Sequence, residues 1–400
     1  MRHHGGVNRF ERSELADNWG LDRSVVFLNH GSFGACPTAV LEHQQRLRRR
    51  IESEPVRFFV RDYQPLLDAA RCEVAAFLGA EPDGLAFVAN ATTGINAALR
   101  ALDLGPGDEL LLTDHEYPAC RNAAREIAAE RGFRVRVAEI PFPIRSGNEV
   151  VEAVLSGIGP ATRAILVDHV TSPTALVLPV ARIASAARER RIRVVVDGAH
   201  APGMLDVDLG ALAVDAYAGN CHKWLCAPKG AGFLSLSPEL RERVRPPVLS
   251  HGATASPPRR FHAEFDWTGT GDPTAWLSVP EAIRVVGGLI PGGWPEVRRR
   301  NHELAVVARD RLCEVLAIDP PVPDSMLGSM ASVPLPDGAP AGSELDPLQD
   351  RLWHRKRIEV PVIGWPRAPH RVLRVSAQLY NAPGQYASLA DALRECLASD

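Results

Sequence analysis

Short apolar runs alternate with stretches of helical periodicity through the first three fifths of this 400-residue chain, and no other feature restricts its fold as tightly. Runs at 85–89, 109–113, 134–139, 164–167, 192–196, 213–218 and 232–236 read as strands. Helical patterns at 94–102, 119–131 and 180–190 fit between most of them. Strand and helix repeated in this order predict an α/β fold whose large domain carries a mostly parallel, seven-stranded sheet. No repeat of fixed period competes with that reading.

The pattern loosens in two places. A stretch rich in Pro, Gly and Arg at 245–260 predicts a long loop ordered by a partner. From Glu296 an amphipathic helix opens a region whose strands, 329–334 and 371–377, are more widely spaced. The expected organisation is an N-terminal segment, 1–55, with a helix at 37–52, packing with the small domain. A large domain at 56–295 and a smaller α+β domain at 296–400 complete it.

Composition narrows the function. A formal charge of -3 gives no basic field to hold a phosphate backbone, so nucleic acid is not an expected partner. The least charged stretch, 164–180, is broken by Asp168, His169 and two prolines, short of the roughly 20 apolar residues that cross a bilayer. No membrane is expected. The first residues hold no apolar core of a signal peptide, and the expected location is the cytoplasm. Seven cysteines at scattered positions predict free thiols in a reducing compartment. Only Cys221 and Cys226 lie close together, without a second pair at zinc spacing, so no metal is expected. Basic residues are 42 Arg against 3 Lys. Chemistry that needs an amine therefore has three candidates: Lys223, Lys229 and Lys356.

Two strand ends lie 26 residues apart, one at Asp197 in RIRVVVDGAHAPG and one just before Lys223 in VDAYAGNCHKW. Ligands of open parallel sheets sit at the carboxyl ends of strands, so both residues face one crevice. Pyridoxal phosphate requires such a pair: a lysine to form an imine and a carboxylate to keep the ring nitrogen protonated. Taken alone, Asp197 could instead cap a helix, and Lys223 could lie at the surface. The cofactor's phosphate needs N–H groups and hydroxyls at a helix N-terminus, and Thr92 and Thr93 in VANATTGIN supply them where a strand runs into a helix. Neither a GxGxxG nor a GxxxxGK[ST] pattern occurs.

Seven motifs then occur in one order: FLNHGSFG (27–34), NATTGINAAL (90–99), DHEYPA (114–119), VDGAHAPG (196–203), GNCHKW (219–224), WTGTGDPTAWLSVPEA (267–282) and RVSAQLYN (374–381). With them the chain resembles, over nearly its whole length, the class V branch of the fold-type I pyridoxal-phosphate enzymes, and most closely the isopenicillin N epimerase-like group. The resemblance implies roles. Lys223 would form the imine, Asp197 would pair with the pyridine nitrogen, and His200 would contact the phenolic oxygen. Tyr117 would stack on the ring, and His222 would hold the phosphate with Thr92 and Thr93. Thr270 would reach that phosphate from a second subunit, making the protein a homodimer. Arg374 would grip the substrate's α-carboxylate as a bidentate fork. Asn29, His30 and Ser32 would line the substrate end, although FLNHGSFG reads equally well as a turn that needs its glycines.

One departure separates the chain from the cysteine desulfurases of the same superfamily. Their nucleophilic cysteine precedes the carboxylate-binding arginine, and 357–374 contains none. The expected activity is α-carbon chemistry on an L-amino acid or a cysteine-containing conjugate, with epimerisation ahead of carbon–sulfur β-lysis or decarboxylating transamination. Epimerisation needs an acid opposite Lys223, for which Tyr117 and His30 are the candidates. A non-catalytic fold relative is the outside alternative.

Overall fold

The computed structural model describes residues 11–256, 258–338 and 345–398. Its centre is a seven-stranded sheet of β1 (Leu85–Val88), β2 (Glu109–Thr113), β3 (Arg134–Ala138), β4 (Thr162–Asp168), β5 (Arg193–Gly198), β6 (Ala216–Asn220) and β7 (Gly232–Leu236). The spatial order is β1-β7-β6-β5-β4-β2-β3, and only β7 runs against the rest. All seven expected strands are present. The sixth begins three residues later than its apolar run, because Ala213 adopts a left-handed conformation (φ +47°) that ends the short helix Leu209–Leu212.

Successive strand residues face opposite sides, and both sides are covered. Leu110, Leu112, Leu166 and Val195 pack against helices, whereas Leu111, Ile165, Val167, Val194 and Val196 belong to the core on the other face. The helices around the sheets include α1 (Thr38–Ser53), α2 (Tyr63–Phe77), α3 (Ala91–Ala101), α4 (Pro118–Arg131), α5 (Gly147–Gly157), α6 (Val180–Glu189), α7 (Gly293–Leu316) and α8 (Pro383–Leu397). Helices α3 and α4 cover the first face, and α5 and α6 the second. Strand β3, with the sequence RVRVA, has its arginine side chains largely exposed, as suits an edge that must not recruit another strand.

A second sheet follows α7. Strands β8 (Met330–Leu335), β9 (Val362–Gly364) and β10 (Arg371–Ser376) form an antiparallel ladder with β10 in the middle. The N-terminal stretch reaches this region: Val26 and Phe27 pair in parallel with Ile358 and Glu359, and Trp19 meets Tyr380 edge-on. Among its described residues the stretch 245–260 holds the 3₁₀ turn His251–Thr254, runs into the helix Arg260–Asp266, and leaves Val248 and Leu249 exposed. No described helix is long and apolar enough to cross a membrane.

Candidate active site

Asp197 is the penultimate residue of β5 and Lys223 lies three residues past β6; the two strands are parallel neighbours, so both stand at one edge of the sheet. The Lys223 amine meets His200 Nε2 at 3.0 Å, and the Trp224 indole N–H points at His200 Nδ1 from 3.4 Å. A donor at Nδ1 leaves the proton of the neutral ring on Nε2, facing the lysine. Burial, reinforced by the nearby Lys223 and Arg374 charges, pushes His200 well below the usual histidine range. Burial first, and then Arg374, lowers Lys223 to about 7, against the pull of Asp197 and Asp168. Much of the amine is therefore unprotonated at neutral pH, as a base requires.

Asp197 is 2 % exposed. Its Oδ1 accepts the Ala199 N–H at 2.9 Å and its Oδ2 the Cys120 thiol at 3.1 Å. It thus secures the turn after β5 with one oxygen and directs the other toward α4. Two glycines let other backbone approach the lysine loop. At Gly34 (φ +72°) a Cβ would fall 2.0 Å from the His222 carbonyl oxygen, and at Gly203 (φ +87°) 2.6 Å from the Trp224 backbone. Lys229 closes the loop by donating to the Gly34 carbonyl at 2.9 Å.

Arg374, on the middle strand of the second sheet, is 3 % exposed. One terminal nitrogen donates to the Ser172 carbonyl at 2.7 Å and hydroxyl at 3.2 Å; the other donates to Ser32 Oγ at 3.0 Å. Its buried Nε has no partner, and no carboxylate pairs with it among the described residues. Burial lowers the guanidinium only to about 10, so it stays a cation at neutral pH. A buried cation held by neutral acceptors, with donors to spare, is a receptor for an anion.

Tyr117 precedes α4, is 41 % exposed and lies within electrostatic reach of Arg374. Thr92 and Thr93 open α3, where Asn90 caps the Thr93 N–H at 2.9 Å and Asn220 the Ala91 N–H at 2.8 Å. Both threonines line a cleft of about 860 Å³ shared with Arg243 and Arg245. His222, lowered to about 4 by burial, holds the Ala231 carbonyl through Nδ1 at 2.9 Å and makes no hydrogen bond through Nε2 among the described residues.

Thr270 is exposed, between Gly269 and Gly271, and makes no hydrogen bond to the lysine loop among the described residues. Of the FLNHGSFG residues, Ser32 holds Arg374 and donates to Asn29 Oδ1 at 2.6 Å, while Asn29 donates to Glu359 at 3.0 Å. His30 requires a correction. It is fully buried, with Nδ1 on the Tyr380 hydroxyl at 2.8 Å and Nε2 on the Lys223 carbonyl at 3.0 Å, so neither ring nitrogen is available to a substrate.

Sequence reasoning missed four contributors: Ser172, Trp224, Cys120 and Asn220. Ser172 follows the end of β4, and Asn220 is the last residue of β6. The rule that ligands gather at strand ends points to both.

The family model for aminotransferase class-V matches residues 35–342. The chain belongs to the aminotransferase class-V family. It is 39% identical to an isopenicillin N epimerase of Amycolatopsis lactamdurans over 391 residues, covering 94% of this chain and 96% of that protein. It is 30% identical to a putative L-cysteine desulfhydrase 2 of Oryza sativa subsp. japonica, covering 97% and 87%. Among solved structures, the cystine C-S lyase C-DES with its product cysteine persulfide superposes with a TM-score of 0.78 at 22% identity, covering 93% of this chain and 97% of that one, a likeness of fold.

This class-V chain is a pyridoxal-phosphate-dependent enzyme of the fold-type I architecture. The residues present fit the group: a lowered lysine amine, a buried carboxylate one strand away, a capped helix start and an unpaired buried guanidinium.

Proposed function

We propose that this enzyme acts at the α-carbon of an L-amino acid or cysteine-containing conjugate and inverts it, as an isopenicillin N epimerase-like epimerase. One observation carries the reading: a buried lysine with a lowered pKa and a buried arginine, unpaired by any carboxylate among the described residues, converge on one edge of the sheet. Pyridoxal phosphate, when bound, supplies the electron sink for the pair left on the α-carbon. Arg374 holds the α-carboxylate, Lys223 removes the α-proton and Asp197 faces the ring nitrogen. His200, whose Nε2 meets the Lys223 amine, would contact the phenolic oxygen, while Thr92, Thr93 and His222 would hold the phosphate. With His30 occupied, Tyr117 is the acid that returns a proton to the opposite face.

A homodimer completes the site, with Thr270 reaching the phosphate of the neighbouring subunit. The division into 1–55, 56–295 and 296–400 stands within the same proposal. So does a setting in the reducing cytoplasm, in an antibiotic-type pathway, with seven free cysteines in support. Carbon–sulfur β-lysis is the second reading, favoured by the cysteine desulfhydrase relative. It uses the same lysine and arginine but does not need Tyr117 as an acid.

The test is an absorption spectrum of the purified protein beside Lys223→Ala, followed by product analysis with peptide-bearing amino acids and L-cysteine S-conjugates. A lysine-dependent cofactor band and a D-configured product support the epimerase, which Tyr117→Phe should abolish. Pyruvate with released thiol selects the lyase. No band after added pyridoxal phosphate defeats both.

A further inference from the structure

Behind Asp197 the sheet edge holds two more acids. Asp168 ends β4 and is the register partner of Asp197 on β5. Glu116, three residues past β2, is 1 % exposed. Ligand-type atoms of Glu116, Cys120 and Asp197 all lie within 4.8 Å of one another. Both Glu116 oxygens and Asp168 Oδ2 are buried without a hydrogen-bond donor, although the two carboxyl groups face each other within hydrogen-bonding reach.

Few other groups face the cluster. Arg121 of α4 donates to the Asp114 and Glu116 carbonyls at 2.6 and 3.0 Å. Lys223 approaches from its loop and the Cys120 thiol from α4. The Tyr217 phenol of β6 is engaged by His169 Nδ1 at 2.9 Å. Three buried carboxylates against one fixed guanidinium would leave uncompensated charge in a region that water cannot reach. A single proton carried between Glu116 and Asp168 removes the excess and gives Asp168 Oδ2 its donor. Two carboxylate charges then remain, matched by Arg121 and by the proton of the cofactor's ring nitrogen.

We propose that Glu116 is a carboxylic acid that donates its proton to Asp168, a positioning residue that leaves Asp197 as the ionised carboxylate facing the ring nitrogen. The role toward the ring rests on the pyridoxal-phosphate reading above. Burial first, and then the neighbouring carboxylates, raise Glu116 well above the usual range; burial and Asp197 do the same to Asp168. Both Glu116 oxygens lack a donor whereas only Oδ2 of Asp168 does, which puts the proton on Glu116.

Infrared difference spectra of the holoenzyme and of Glu116→Gln at neutral pH test the proton. The carbonyl stretch of a protonated acid, sensitive to deuterium exchange, should appear in the wild type and vanish in the variant. Glutamine still offers Asp168 a neutral donor, so cofactor affinity should stay within about threefold of wild type. Glu116→Ala leaves Asp168 bare beside Asp197, and affinity should fall about tenfold or more. The loss should deepen as pH falls and the entering proton reaches Asp197. A wild type without the acid band overturns the proposal, as does a Glu116→Gln variant that loses affinity while its fold, by circular dichroism, is intact. If Glu116→Ala does not fold, the infrared and glutamine results still decide. An acid band in a protein that binds no pyridoxal phosphate would overturn the functional reading, and with it the role toward the ring, while the shared proton stands.

Discussion

Lys223 and Arg374 are two buried cations at one site, and burial treats them differently. The ammonium is a compact charge that loses its hydration on entering the site, and Lys223 falls to about 7. The guanidinium spreads its charge and meets three neutral acceptors from Ser172 and Ser32, and Arg374 falls only to about 10. The interaction between them sharpens the contrast, because Arg374 is the second cause of the lowered lysine. What remains charged at neutral pH sets the division of labour: the lysine gains a lone pair to act as a base, and the arginine keeps its charge to hold an anion.

Breaking the base should have the largest effect. Lys223→Ala removes the amine that meets His200, and turnover should fall by about 10²–10⁴-fold from loss of proton transfer alone. Loss of the lysine-dependent absorption band should accompany it. Steady-state assays and spectra check both, and a variant with wild-type turnover would mean the base lies elsewhere. In the wild type, turnover should decline as pH drops below about 7, because the amine is then protonated.

Breaking the anion receptor comes next. Arg374→Lys keeps the charge but loses the fork, and hydrogen bonds to charged groups are worth about 1.5–3 kcal/mol, so KM should rise about tenfold or more. The acid limb should stay in place, since a positive neighbour remains beside Lys223. Arg374→Gln removes that charge, which favours the protonated amine, raises its pKa and moves the acid limb to higher pH. Profiles of log kcat against pH for both variants separate the fork from the charge; identical profiles would argue against electrostatic coupling of the two cations.

The same contrast explains what could be read from the amino-acid sequence. Asp197, His200 and Lys223 lie within 27 consecutive residues at the ends of adjacent strands, and strand periodicity places them together. The arginine pocket draws on residues 32, 172 and 374, which meet only when the second sheet docks. No local pattern distinguishes Arg374 among 42 arginines; the RVSAQLYN resemblance did so. His30 reads as chemical from its motif alone, whereas its partners, Tyr380 and the Lys223 carbonyl, are supplied by distant segments. Glu116 carries no signal of its own in DHEYPA, because its burial beside Asp168 depends on strand order.

Gly34 tests how tightly the N-terminal segment fixes the lysine side. Gly34→Ala forces a side chain onto a residue at φ +72° and drives its Cβ to 2.0 Å from the His222 carbonyl, which is backbone and cannot swing away. Left-handed strain costs about 1–3 kcal/mol. Melting should detect a loss of at least that size, with lysine-dependent absorbance weakened because His222 and Lys223 shift together. An unchanged melting temperature would mean the segment yields more readily than its packing indicates.

The smallest effect expected is at Ser32, and it bears on how the arginine keeps its charge. Ser32→Ala removes one of the three acceptors around Arg374, but the Ser172 carbonyl at 2.7 Å and hydroxyl at 3.2 Å remain. The guanidinium should stay ionised and lose only part of its orientation. Losing one bond to a charged group within a redundant set should cost about 0.5–1 kcal/mol, so KM should rise about two- to fivefold with kcat nearly unchanged. The acid limb should not move, because no charge has been altered near Lys223. A fall in kcat instead would show that Ser32, through Asn29 and Glu359, orders the N-terminal segment against the lysine loop and serves the base as well as the anion receptor.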